Sequence, residues 1–182
     1  MLRVFLFSIL FIQLLFGYNY DNLVLKAQSS IFPKIMLLDK KVQNKLIDNK
    51  IIYTIAYDTS DYQTALHVEE YINSIFKGHF DRYPYKINLV DFSHLSPNTE
   101  ASALYVLQSS TDNIKKAADI AFQKGIVSFS YDVNNLKDGL VLSLIIEKST
   151  ILYFNIKYLH VKNIDFIDSL FPMVKFIDKN SL

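Results

Sequence analysis

Short apolar runs alternate along this chain with amphipathic stretches at helical spacing, and that alternation restricts the fold more than any other feature. Ile51–Tyr57 (IIYTIAY) is a β-branched and aromatic run that reads as a buried strand. Thr59 or Ser60 then offers an N-cap for a helix to about Phe76, in which Val68, Tyr71, Ile72 and Ile75 share one face. Lys86–Val90, Ala103–Leu107 and Ile126–Ser130 read as further strands. Ile114, Ala117, Ala118, Ala121 and Phe122 form the apolar stripe of a helix between the last two, and Gly125 stops it. Leu140–Ile146 and Ile151–Ile156 flank a tight turn at Glu147–Thr150 and predict a hairpin. Leu23 to about Leu38 predicts a first helix that Pro33 kinks or divides, and most of Tyr158–Ile177 a last one. Strands separated by amphipathic helices in this order imply an α/β sandwich with a mainly parallel sheet, finished by a C-terminal antiparallel hairpin.

The chain of 182 residues has room for one domain and a targeting segment. Apolar residues are 51% and charged residues 20%, enough to bury a core. Nineteen Lys and Arg against 18 Asp and Glu leave a formal charge of +1, too even a balance for a nucleic-acid partner. Cysteine is absent, which excludes disulfides, thiolate metal sites, a cysteine nucleophile and a lipoprotein anchor.

Met1–Gly17 (MLRVFLFSILFIQLLFG) pairs Arg3 with an apolar run over Val4–Phe16. That run is too short for a bilayer core and fits the hydrophobic region of a signal peptide. The expected cut falls near Gly17, leaving residues 18–182 as a single domain in the periplasm. An uncleaved anchor and a buried first helix are the alternatives.

Gly139 opens an apolar strand, the hairpin turn follows, then Tyr153-Phe154-Asn155-Ile156, and fifteen residues after Asn155 stands Leu170-Phe171. This arrangement resembles the C-terminal signature of the YfiR/HmsC-like periplasmic family. Asn163 replaces the family's usual Gly, and Lys157-Tyr158-Leu159-His160 its alanine-rich turn. The Trp-Pro and the paired cysteines of many members are missing. The resemblance implies a Rossmann-like three-layer sandwich, no catalytic residues, and a partner in the inner membrane. That partner would be the periplasmic domain of a diguanylate cyclase or of a sensor histidine kinase, in control of cyclic-di-GMP and biofilm. A receptor for a small ligand, feeding a sensor or transporter, is the alternative.

In open α/β sheets, ligands sit outside the carboxyl ends of the strands. Three loops there supply candidate ligand-binding residues: Asp58 and Ser60, then Ser109, Ser110 and Thr111, then Tyr131. Helix capping explains the same residues without a ligand. Phe80, Arg82, Tyr83 and Tyr85 in the aromatic loop Phe76–Tyr85 are candidate partner-binding residues, with packing of the loop onto the sheet as the other reading. His67, His79, His94 and His160 are scattered without metal spacing, and Glu69 and Glu70 belong to a solvated helix face. Four scattered glycines permit no phosphate-binding loop and no nucleophile elbow, so no cofactor and no catalytic residue is expected.

Overall fold

The computed structural model describes residues 18–157 and 163–177. The expected signal peptide, and His160 with its neighbours, lie outside them. Three helices flank an eight-stranded sheet in the order β2-β3-β1-β4-β5-β6-β7-β8. The strands are β1 Ile51–Tyr57, β2 His79–Phe80, β3 Tyr83–Asp91, β4 Ala103–Val106, β5 Val127–Ser130, β6 Leu142–Ile146, β7 Thr150–Asn155 and β8 Val174–Ile177. From β3 through β6 all pairings are parallel, β7 runs antiparallel to β6, and β8 is parallel to β7. Helices α1 (Asn22–Met36) and α2 (Tyr62–Phe76) cover one face, and α3 (Thr111–Lys124) covers the other. This is the expected three-layer, Rossmann-like sandwich.

The two faces follow the period-2 alternation of strand side chains. Tyr53, Tyr105 and Phe129 point towards α1 and α2, where Phe32 stacks on Phe129 at 4.6 Å. Ala56, Leu104 and Val106 meet Ile114, Ala117 and Ala121 of α3. Burial on both faces is what makes the parallel strands read as continuous apolar runs. Helix α3 is capped by Ser110, whose Oγ accepts from the Asn113 amide, and ends on Gly125 at φ +62°. A Cβ there would meet the Asn163 side chain at 2.4 Å, so both the backbone conformation and the close approach require glycine.

Two expectations need correction. Helix α1 is not divided at Pro33, which falls in its last turn; the missing N–H costs one bond, to the Ser29 carbonyl, and the helix ends within the same turn. The expected last helix is absent over the described part of 158–177: a 3-10 turn, Asp168–Met173, leads into strand β8. Val174 and Phe176 pair with Leu152 and Phe154 on one face, while Lys175 and Ile177 turn to the other. That alternation, with Pro172 breaking the helix ladder, favours a strand.

At the amino ends of the parallel strands, Asp39 is 1% exposed and holds three donors. Lys45 Nζ donates to Oδ2, and the amides of Lys41 and Asp165 donate to Oδ1 at 3.1 and 2.9 Å. Ser102 Oγ donates to the Lys45 carbonyl at 2.6 Å and accepts from the Ile52 amide at 3.0 Å. Burial pushes the Lys45 ammonium below its usual range, against the opposing pull of Asp39.

Candidate functional site at the strand ends

Strand β1 leads through α2 to β3 on one side, whereas its other neighbour, β4, leads through α3 to β5. The two loops leaving β1 and β4 therefore diverge, and a crevice opens between them at the carboxyl ends. Asp58 and the 3-10 turn Thr59–Asp61 form one wall. Gln108, Ser109 and the cap Ser110 form the other.

Asp58 Oδ1 accepts from Ser109 Oγ at 2.9 Å and from Asn113 Nδ2 at 3.3 Å, and the same Nδ2 donates to Ser109 Oγ at 2.9 Å. Asp58 and Ser109 are thus brought together as the sequence suggested. Ser110 is engaged as a helix cap, and Ser60 and Thr111 are exposed at the rim. Tyr131, beyond β5, accepts a hydrogen bond on its hydroxyl from the Asp21 amide at 2.8 Å.

That last contact belongs to a segment the sequence did not place here. Residues 18–21 cross the crevice just ahead of α1. The Tyr20 hydroxyl donates to Asp61 Oδ2 at 2.8 Å and accepts from the Gln108 amide at 3.0 Å. Its ring meets Tyr131 edge-on at 4.8 Å. The Tyr18 nitrogen donates to Asp61 Oδ1 at 3.2 Å. Burial, then the hydrogen bond to Asp61, pushes the Tyr20 phenol far above its ordinary range. Burial raises the Asp61 carboxyl, opposed by donation from Tyr20 and the Tyr18 nitrogen. Asp61 lies in the candidate loop Asp58–Asp61 after β1, whereas Tyr20 is the residue at these strand ends that the sequence did not place. Contacts reaching 88 and 41 positions along the chain leave no local pattern to detect.

The segment is anchored through α1. Gln28 is fully buried; its amide donates to the carbonyls of Tyr131 at 2.9 Å and Leu144 at 3.2 Å, and its oxygen accepts from the Tyr105 hydroxyl. Every hydrogen of that amide is used, so helix and sheet are held in one register.

The aromatic loop packs inward. Phe80 is fully buried, stacked on Tyr85 at 4.0 Å and edge-on to Phe76 at 4.9 Å, and Tyr83 is 9% exposed. Alternation along the β2–β3 hairpin turns these rings onto α2, so as placed they offer a partner almost no surface. Arg82 remains exposed, its guanidinium over the Tyr83 ring at 5.0 Å. Tyr85 is half-buried, its hydroxyl donating to Asn73 Oδ1 at 2.9 Å. His67, His79 and His94 are exposed and lie on separate elements or loops.

A second concavity, of about 660 Å³, opens beside α3 towards the amino end of β6 and the carboxyl ends of β7 and β8. Lys115, Lys137 and Lys157 stand around it with Asp119, Asp138 and Phe122, and Lys115 reaches Asp138 at 4.0 Å.

No protein-family model matches the chain, and no curated protein matches it. Solved structures do share the fold. A conserved domain protein from Vibrio cholerae O1 biovar El Tor is similar at TM-score 0.53 and 12% identity, over 76% of this chain and 60% of that one. The ABC domain in complex with L-Trp from Streptococcus pneumoniae is similar at TM-score 0.50 and 11% identity, over 78% of this chain and 61% of that one. The chain thus spans about three-fifths of each of these structures.

Proposed function

We propose that this chain is a non-catalytic periplasmic binding domain that takes a small hydroxyl- or amine-bearing ligand at the carboxyl ends of β1 and β4. The observation that carries the proposal is the position of the Tyr20 hydroxyl, between the Asp61 carboxylate and the Gln108 amide. One acceptor and one donor converge there on a hydroxyl, and a ligand hydroxyl can satisfy both in the same way. Asp58, held by Ser109 and Asn113, adds a second acceptor beside it and favours a ligand with a protonated amine. Likeness in fold to a domain solved with L-Trp supports the receptor reading. Tyr20 must leave before a ligand enters, so the apparent affinity is lowered by the fraction of closed molecules.

Titrating the purified protein with amino acids, amino sugars and polyols, and following its melting temperature, tests this. A true ligand raises the midpoint by mass action. Asp58→Ala and Ser109→Ala should abolish the rise, whereas Lys137→Ala, in the lysine-lined concavity, should leave it intact. The opposite pattern would move the site to that concavity.

A second reading is regulation of an inner-membrane diguanylate cyclase or sensor kinase, as the resemblance over Gly139–Phe171 implies. What supports it is the edge of the sheet at β8, where Met173, at the end of the preceding 3-10 turn, and Phe176 of the strand stand 66% and 41% exposed. Pull-down from envelope extract with wild type and Met173→Asp tests it. A cyclase or kinase recovered by the first and lost by the second supports docking at β8, and recovery of neither protein class removes this reading.

A further inference from the structure

Asp61 is as deeply buried as Asp39, at 2% against 1% exposure, yet the two are answered differently. Asp39 faces the Lys45 ammonium. Asp61 takes part in no ion pair among the described residues. Its donors are the Tyr20 hydroxyl, the Ser60 side chain and, on Oδ1, the main-chain nitrogen of Tyr18. A buried carboxylate without a cation is costly. Tyr18 itself is 43% exposed, while its main-chain nitrogen is engaged by the buried Asp61 carboxylate. It is also the atom that would become the amino terminus if the apolar leader were removed after Gly17.

We infer that the Gly17–Tyr18 bond is cut on export and that the α-ammonium formed on Tyr18 pairs with Asp61, locking residues 18–20 over the strand-end crevice. The inference rests on reading the chain as an exported protein. A leader peptidase adds water across the amide: the hydroxyl goes to the Gly17 carbonyl carbon and the proton to the Tyr18 nitrogen. At neutral pH the leader departs as a carboxylate and Tyr18 keeps an ammonium, with no change of oxidation state. Before the cut, Asp61 accepts from a neutral amide; after it, the donor at the same position is charged, and charge-assisted bonds are about twice as strong. Processing thereby closes the crevice more firmly, and any ligand that displaces Tyr20 works against this pair.

Other titratable groups around the pair are Asp58 and the phenols of Tyr18 and Tyr20. An amine that gains a carboxylate partner has its pKa raised, so the added stability is present below its unfolded value of about 8 and is lost as pH rises through the folded one.

The full chain, expressed with its own leader and recovered from the envelope, provides the test. Mass spectrometry of the intact protein should place the amino terminus at Tyr18. Capping the α-amine with pyridinecarboxaldehyde, a reagent selective for chain termini, should then lower the melting temperature at pH 6.5 by about 3–6 °C. Asp61→Asn should melt lower by a similar margin and lose its sensitivity to capping. A terminus at another residue of an exported protein overturns the inference and leaves the export reading standing. A chain that stays in the cytoplasm with residues 1–17 attached overturns both. A Tyr18 terminus whose capping changes nothing also overturns it.

Discussion

At the amino ends of the parallel strands a buried carboxylate meets a buried ammonium, and two main-chain amides complete its shell. At the carboxyl ends an equally buried carboxylate meets a phenol, a main-chain nitrogen and a serine hydroxyl. Asp39 ties together the chain leaving α1, the approach to β1 and the approach to β8, and none of these can move without exposing a charge. Asp61 is answered by Ser60 beside it and by Tyr18 and Tyr20 ahead of the first helix, a segment that can move with little disturbance to the core. The difference separates an end of the sheet tied down by a buried ion pair from an end covered by a short segment that can move.

The largest expected effect lies at the amino end. Asp39→Ala leaves the Lys45 ammonium buried without its partner and two amides without an acceptor, at a cost of about 3–5 kcal/mol. Chemical denaturation should show that loss as a lower midpoint; a loss below about 1 kcal/mol would break the contrast. At the carboxyl end, Tyr20→Phe keeps the ring against Tyr131 and removes only the hydroxyl. It should cost about 1–2 kcal/mol, and ligand binding should tighten rather than weaken because the closed state has lost a bond.

A pH series sharpens the comparison further. Asp61 has its folded pKa raised, so the folded state holds a proton more readily than the unfolded chain does. Its contribution is therefore favourable below the ordinary value of 3.8 and is lost as pH rises through the folded pKa. In the chain that keeps its leader, Asp61→Asn should flatten that part of the stability profile in urea melts; in the processed chain, where the Tyr18 ammonium faces Asp61, the flattening should be absent. The smallest effect is expected between the two ends, at Tyr53. Its buried hydroxyl has no partner among the described residues. Tyr53→Phe removes an unsatisfied group and should change stability by less than about 1 kcal/mol, as a gain. A clear loss would mean the hydroxyl has a partner.

Features set by near neighbours were legible in the sequence. The Ser110 cap, the Gly125 stop and the β6–β7 hairpin each depend on a few adjacent residues, and the structure places them as expected. The parallel order followed from the alternation of strands and helices. Strand β8 was not legible, because its pattern acquires meaning only against Leu152 and Phe154 of β7. At the crevice, Asp58 and Ser109 could be named from their place after two strands. Tyr20 could not, since nothing around Tyr18-Asn19-Tyr20 records that the segment folds back across β1 and β4. The inward packing of Phe80 and Tyr83 in the aromatic loop was not legible for a related reason. A run of rings reads the same whether it faces water or α2, and only the β2–β3 pairing decides.

The amide of Gln28 has a consequence for how the crevice can open. Because it joins α1 to the carbonyls of Tyr131 and Leu144, the helix cannot slide to carry Tyr20 away. Opening is confined to the residues before Asp21, a lever of three. Such a lever exposes little apolar surface, so binding there should carry a small heat-capacity change. A short segment of this kind also moves on the nanosecond-to-microsecond scale of loops rather than the millisecond scale of closing domains. Any opening there is quick and local, with the rest of the sheet standing still.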